Sequence, residues 1–366
     1  MQEALKYFEK IDDPRSRRNQ KHPLITLIGT TLLASLAGID SFSGFADFTD
    51  AHFEELQKYF DFPSGSPSHD TYQRLWDGIS PTQFYDSFQV FTASLAKLTS
   101  TFINLDGKTI RHSGTDKALH IVSAWCHANQ LTLAQEKTDK KSNEITALPK
   151  LIKLLDLQGR IVTIDAMGAQ RKICAQILEQ GGDYVISLKG NQGTLHQYVS
   201  AYFNNPDFLS ECLFSEENDK GHGRLEQRIA YSSNHIEFLQ GKHAWPGLKS
   251  IGLVKSTVEK KGKTYEEERF YISSLDANAK LLNQAARAHW GIENQLHWRL
   301  DVVFNEDGAC IRNDNAAENI DILRKWALNG LQKCKQKPDQ SIKSLMRKNS
   351  MSFKHLIENV KKIFHA

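Results

Sequence analysis

Three carboxylates stand at positions where chemistry is a better explanation than solubility. Asp106 closes the run Ile103-Asn104-Leu105-Asp106, and Asp165 closes Ile161-Val162-Thr163-Ile164-Asp165. Glu293 lies within His289-Trp290-Gly291-Ile292-Glu293-Asn294-Gln295-Leu296-His297-Trp298. The first two end strand-like segments, and the third falls on an apolar helical stripe. A buried carboxylate is costly unless it pairs with a cation or holds a metal. Three acids converging on Mg²⁺, or on a pair of ions about 3.5–4 Å apart, would make a centre for phosphoryl transfer on nucleic acid. Such a centre activates a water or a 3′-hydroxyl and needs no nucleophilic side chain. Each acid also has a plainer role open to it. Asp106 could start an Asp-Gly turn, Asp165 could cap a helix, and Glu293 could pair with Arg287 or His297.

The elements that would position these acids alternate strand and helix. Residues 101–110, 120–127 and 130–136 read as strands, 143–156 as a helix with Pro149 inside it, and 160–165 as a strand. A helix over 169–180 and a strand over 183–188 follow. This order predicts an α/β layer. Residues 161–164 are almost all apolar, as a central strand covered on both faces should be. In open α/β sheets ligands gather beyond the carboxyl ends of strands, where Asp106 and Asp165 fall. Residues 195–275 interrupt the pattern with β-like stretches at 226–232, 249–258 and 265–274, read as an inserted, partly β subdomain. Helix 278–300 resumes it, with Leu282, Ala286, His289, Glu293, Leu296 and Leu300 in steps of three and four. That spacing predicts Glu293 on the face packed against the sheet. Gly291 in mid-helix costs roughly 1 kcal/mol against Ala, which predicts a close approach to its backbone. A further helix is expected over 315–334.

Residues 1–98 read as mostly helical, with a break at Pro63-Ser64-Gly65-Ser66-Pro67-Ser68 and a new helix from His69. Thr71, Gln73, Arg74 and Trp76 on that helix suit either a DNA-binding helix-turn-helix or a structural cap. The uncharged run 24–39 is shorter than the roughly 18–20 residues that span a bilayer and is expected to be a buried core helix. No secretory signal is expected after Met1-Gln2-Glu3. The five cysteines form no C-x-x-C pair, so neither a zinc site nor a disulfide framework is expected, and a reducing compartment fits. With 366 residues, 40% hydrophobic and 24% charged, the chain has the composition of a globular protein of two or three domains. Net charge is only +3, but residues 324–366 carry eleven Lys/Arg against two acids. Arg15, Arg17, Arg18 and Lys21 form a second basic cluster. Such local patches fit phosphate contacts, or a solvated helix face.

Six ordered motifs then stand out: Asn104-Leu-Asp106-Gly-Lys-Thr-Ile-Arg111, Lys141-Ser-Asn143-Glu144-Ile-Thr-Ala-Leu-Pro149, Val162-Thr-Ile-Asp165-Ala-Met-Gly168, Asp183-Tyr-Val-Ile-Ser-Leu-Lys189-Gly-Asn-Gln192, Gly221-His-Gly-Arg224-Leu-Glu226-Gln-Arg228, and His289 to Trp298. Together they resemble bacterial insertion-sequence DDE transposases, closest to the As-type elements that include the H-repeat-associated proteins. Asp12-Asp-Pro-Arg15, residues 23–40 and Pro67-Ser-His-Asp-Thr-Tyr72 resemble that group's associated N-terminal domain. The likeness covers roughly residues 8–330. It implies a ribonuclease H-like mixed sheet flanked by helices, with a β-rich insertion and an N-terminal helical domain. The implied domains are 1–98, a candidate DNA-binding unit, then 99–334 with the insertion at about 195–275, and a basic helical tail at 335–366. It implies that Asp106, Asp165 and Glu293 bind two Mg²⁺ or Mn²⁺ ions, and that the enzyme cleaves element ends and transfers strands. Double-stranded DNA, at terminal repeats and target, is the implied partner, with a homo-oligomer on DNA and a cytoplasmic, nucleoid-associated location. The separation of 128 residues from Asp165 to Glu293 fits the insertion of related transposases.

The chain departs from better-studied relatives, which carry Tyr, Arg and Lys around the Glu. Ala286, His289 and Leu300 stand there instead, leaving Arg287, His297 or Arg299 as substitutes. Lys108, Arg111, Lys189, Asn191, Gln192, His222, Arg224 and Arg228 are further candidates for DNA contact, with polar turns or loop networks as the alternative. Trp290 and Trp298 would stack on an extruded base or lie in the core. Two other functions stay open: a stand-alone metal-dependent nuclease, and a catalytically silent DNA-binding protein.

Overall fold

β-Branched and apolar residues in short runs build one large sheet. The computed structural model describes all residues except 17, 19, 96–100, 115–116, 139–143, 222–223, 240–243 and 365–366. Within them the sheet comprises β1 (Phe102–Thr109), β2 (His120–Cys126), β3 (Leu131–Lys137), β4 (Ile161–Ile164), β5 (Asp183–Leu188), β6 (Leu213–Gly221), β7 (Arg224–Ser233), β8 (Ser250–Lys260) and β9 (Lys263–Ser273). Their spatial order is β3-β2-β1-β4-β5-β9-β8-β7-β6. β1, β4 and β5 run parallel, in register Leu105↔Ile164↔Ile186. All other neighbours are antiparallel.

Six helices precede the sheet: α1 (Gln2–Leu5), α2 (Leu24–Leu36), α3 (Phe42–Ala51), α4 (Phe53–Leu56), α5 (His69–Gly78) and α6 (Pro81–Leu95). Between strands lie α7 (Glu144–Lys153), α8 (Arg171–Glu179), α9 (Gly193–Asn204) and α10 (Pro206–Ser210). After β9 come α11 (Ala279–Gly291), a π-helical turn Ile292–His297, α12 (Trp298–Val302), α13 (Asp314–Cys334), α14 (Ile342–Met351) and α15 (Phe353–Phe364).

Strand alternation sorts the sheet's two faces. Ile103, Leu105, Val162 and Ile164 pack against Leu148, Leu151 and Ile152 of α7 and Ile173 and Ile177 of α8. Ile161, Val185 and Tyr271 face the other way, onto Leu282, Ala285 and Ala286 of α11. Residues 195–275 do not stand apart as a layer of their own. β9 pairs with β5 from Val185↔Ser273 to Leu188↔Phe270, so the inserted strands extend the central sheet. β6 escaped the sequence pattern because Ser215-Glu-Glu-Asn-Asp-Lys220 reads as a polar loop. It is held instead by its ladder to β7.

A second core gathers both ends of the chain. The ring of Trp326 on α13 lies 4.7 Å from that of Phe8 and 5.0 Å from that of Phe91, centroid to centroid. α2, α14 and α15 close the same core through Leu27, Leu345 and Leu356. α15 therefore buries an apolar face and leaves Lys354, Lys361 and Lys362 exposed. α2 is the buried core helix its sequence predicts, and its Thr30 and Thr31 hydroxyls donate back to the carbonyls of Thr26 and Leu27. No helix among the described residues is long and apolar enough to cross a membrane. On α5, Trp76 is fully buried and its indole N–H donates to Thr31, so it serves the core and no groove.

Candidate active site

Period-two alternation puts Asn104, Asp106 and Lys108 on the α11 side of β1. Thr163 takes the same side of β4. Asn104 donates to the Thr163 hydroxyl at 2.6 Å, and that hydroxyl meets His289 Nδ1 at 3.0 Å. The parallel ladder ends at Leu105↔Ile164, and Asp106 and Asp165 are the next residue on each strand, close enough for the charge of Asp106 to act on Asp165. Asp165 leaves β4 with extended backbone, and its carboxylate accepts the N–H groups of Met167 and Gly168. The cap role open to it in the sequence is thus filled, yet its charge also counts. Burial, then the neighbouring charges of Glu144 and Asp106, push its carboxyl above the ordinary range against those two hydrogen bonds. Burial also works to raise Asp106. The nearby His297 outweighs it and holds this carboxyl below its ordinary range. His297 Nε2 stands 3.2 Å from Asp106 Oδ2.

The helix crossing this face presents His289, Glu293 and His297 four residues apart. His289 meets Thr163 and His297 meets Asp106, so Glu293 lies between two contacts to β4 and β1. Glu293 is nevertheless exposed, contrary to the prediction that it packs on the sheet. The reason is the π-helical turn from Ile292 to His297, which breaks the three-and-four spacing just where Glu293 begins. Among the described residues, no three His, Cys, Asp or Glu side chains stand close enough together to hold a metal ion. The structure assembles the two aspartates and leaves Glu293 on the turn beside them. Gly291 has the close neighbours its position predicts. A Cβ there would lie 2.8 Å from both His127 Nδ1 and the Trp125 ring. Burial pushes His289 down to about 4, so it is a neutral ring near neutral pH.

The remaining predicted contacts divide by place. Lys108 turns inward and pairs with Asp301 and Glu306. Arg111 is exposed and lies 3.5 Å from Asp307. Lys189 is exposed at the end of β5, close enough for its charge to act on His289. Asn191 and Gln192 donate to the carbonyls of Ala166 and Ala169, bracing the turn that follows Asp165. Arg224, Arg228, Arg287 and Trp290 line one cavity of about 190 Å³ between β7–β9 and α11. Within it Arg228 is buried against Glu226 and Glu217, and Arg287 reaches Asp219 at 3.2 Å. Arg269, which sequence reasoning missed, lies 4.3 Å over the Trp290 ring. Trp298 is 54% exposed, on the surface rather than in the core. Arg299 donates to Gln130 and Gln332, away from the aspartates. His222 lies outside the described residues.

Sequence reasoning also gave no role to His120 and Glu144. His120 Nε2 lies 2.9 Å from Glu144 Oε1, and its Nδ1 lies 2.7 Å from the Thr109 hydroxyl. The signal was present in Gly107, a strand glycine beside an acid.

A family model described as "Transposase DDE domain" matches residues 98–329, and one described as "DDE_Tnp_1-associated" matches residues 5–92. The chain is 37% identical to the Escherichia coli K12 "H repeat-associated putative transposase YhhI", over 90% of each chain. It is 40% identical to "Putative transposase YncI" of Escherichia coli O157:H7, over 92% of this chain and 88% of that one. A piggyBac transposase in a synaptic complex with hairpin DNA is a structural neighbour at TM-score 0.47 and 11% identity, covering 98% of this chain and 77% of that one.

Proposed function

This chain belongs to the DDE transposase family and is a transposase, and we propose that Asp106, Asp165 and Glu293 form its phosphoryl-transfer centre. One observation carries the assignment: Asp106 and Asp165 follow the last pair of the parallel β1–β4 ladder, near enough for their charges to interact, on the face crossed by the helix that bears Glu293. β1 itself runs on to Thr109 rather than ending at Asp106 as the sequence suggested. The donor set suits a hard divalent cation, Mg²⁺ or Mn²⁺, because carboxylates are its preferred protein ligands. The raised Asp165 fits the same reading. Like charges crowd it, and among the described residues no Lys or Arg forms an ion pair with it. Asp106 and Asp165 would hold the cation, with Glu293 as third carboxylate. When bound, one or two such ions activate the attacking oxygen and stabilise the leaving one.

The chain's own groups do the rest. Neutral His289 donates or accepts one hydrogen bond at Thr163 and adds no charge to the pair. His297 orients the Asp106 carboxylate. Asn191 and Gln192 fix the backbone after Asp165, so that its carboxylate cannot drift. The substrate in this reading is the DNA of element ends and target. Lys189, Arg111 and the exposed lysines of α15 supply positive charge for phosphate. Arg224, Arg287 and Trp290 line the cavity beside the helix and are proposed DNA contacts. We assign a ribonuclease H-like core to 99–334, a helical domain to 1–98 and a basic tail to 335–366, acting as a homo-oligomer on DNA at the nucleoid.

A strand-transfer assay with donor-end duplex and supercoiled target tests the whole proposal. The wild type should give joined products with Mg²⁺ and none with a chelator. Asp165→Asn should bind donor DNA but give no cleavage. Nicked target without joined ends would favour the stand-alone nuclease, and full cleavage by Asp165→Asn would defeat the assignment.

A further inference from the structure

We propose that Glu144, held by His120, is a positioning carboxylate of this centre, setting the strand end from the opposite face of the sheet and drawing a divalent cation to the aspartate pair. The inference rests on the reading of Asp106 and Asp165 as cation ligands.

Glu144 opens α7. That helix packs on the face opposite α11, its Leu148 methyl close to Gly168 in the turn after Asp165. The carboxylate reaches the backbone of β1 at Gly107, next to Asp106. A Cβ at Gly107 would collide with Glu144 Oε1 and approach His120 Nε2. The space beside Asp106 is therefore occupied by a carboxylate that only glycine admits. Glu144 is itself fixed: its side chain is 12% exposed and meets His120 at 2.9 Å. His120 is fixed in turn by Thr109, its cross-strand partner, at 2.7 Å. Three elements, β1, β2 and α7, thus cooperate to hold one negative charge at the end of β1. A structural role alone does not call for a charge here, because a neutral amide of the same shape would also accept from His120. The negative charge instead adds to the field at the aspartates, where a dication would be welcome. Glu144 touches neither aspartate by hydrogen bond, so it acts through the field and through the backbone it fixes.

The test is Mn²⁺ binding to the full chain, read from loss of the free-ion electron paramagnetic resonance signal, with thermal unfolding as the folding control. Glu144→Gln keeps shape and removes charge. It should weaken Mn²⁺ binding on the order of tenfold while Asp165→Asn abolishes it. Glu144→Asp, which keeps the charge, should recover most of the affinity. Should Glu144→Gln fail to fold, His120→Gln releases the carboxylate while keeping its charge, and should also weaken Mn²⁺. Unchanged Mn²⁺ affinity in Glu144→Gln or in folded His120→Gln, with Asp165→Asn inactive in binding, overturns the role of Glu144 and leaves the centre standing. Wild-type affinity in Asp165→Asn as well would overturn the centre itself.

Discussion

Asp106 and Lys108 lie two residues apart on one face of one strand, yet their surroundings obey opposite rules. Around Lys108 every acid has a cation. Asp301 and Glu306 pair with Lys108, Asp307 lies 3.5 Å from Arg111, and Asp321 lies 2.9 Å from Lys325. Around Asp106 imidazole takes the place of Lys and Arg: His297 holds Asp106 low, while Asp165 is crowded by other acids. Asp165 feels Glu144 and Asp106, and only imidazole rings stand beside Asp106 and Glu144 among the described residues. A compensated network ties β1 to the helices that follow. At Asp165 burial and the like charges of Glu144 and Asp106 disfavour the ionised carboxyl, and a bound dication would relieve them. The difference separates, two residues apart on β1, a cation already committed to ion pairs from a carboxylate that, on the proposed reading, takes a dication.

The contrast is strongest when each end loses one charge. Asp165→Asn should cut DNA cleavage by about 10³-fold or more, as removal of a central transition-state group does. Its thermal midpoint should hold or rise, because burial and like charges already disfavour the ionised carboxyl. Lys108→Met should do the reverse. It takes from fully buried Glu306 its nearest cation, leaving Arg324 at 3.9 Å, and should cost about 3 kcal/mol in denaturant unfolding, the low end for a broken buried pair. A destabilised Asp165→Asn beside a stable Lys108→Met would erase the distinction.

Smaller effects probe the helix between them. Gly291→Ala should cost about 1–3 kcal/mol, because Trp125 and His127 leave no room for a methyl, and should also lower cleavage by shifting the turn that carries Glu293. Stability and cleavage measured on the same preparation check both. His289 gives the mildest effect, visible in pH. Its folded value, about 4, lies below the unfolded 6.5, so the unfolded chain binds the proton first. Stability is therefore unaffected above about pH 6.5 and is lost as pH falls toward 4, by on the order of 1–2 kcal/mol. His289→Gln should flatten that slope in urea titrations at stepped pH.

Much of this was legible in the sequence. The strands carrying the aspartates announced themselves by apolar runs ending in an acid, and α2 by an uncharged stretch too short for a bilayer. Gly291 predicted its close neighbours. What periodicity could not show was the π-helical turn, since one extra residue in a backbone ring leaves no mark on composition. Glu293 was therefore expected against the sheet and stands exposed. β6 was missed because its residues are polar and only the hairpin ladder to β7 holds it, whereas α9 carries Leu195, Val199, Tyr202 and Phe203 at helical spacing and was legible. Lys108 looked like a phosphate ligand since nothing local reveals that Glu306 folds against it, whereas the partner of Arg228, Glu226, stands two residues away on the same strand face and was legible.

Whether acids from distant parts of the chain share one ion, as proposed, can be read directly. Fe²⁺ substituted for Mg²⁺, with ascorbate and peroxide, cleaves backbone within a few ångströms of the bound metal, and the fragments can be sized by mass spectrometry. Cuts clustered near residues 106 and 165 and in the turn around 293, all lost in Asp165→Asn, are the predicted result. Cuts confined to other segments, or an unchanged pattern in Asp165→Asn, would contradict it.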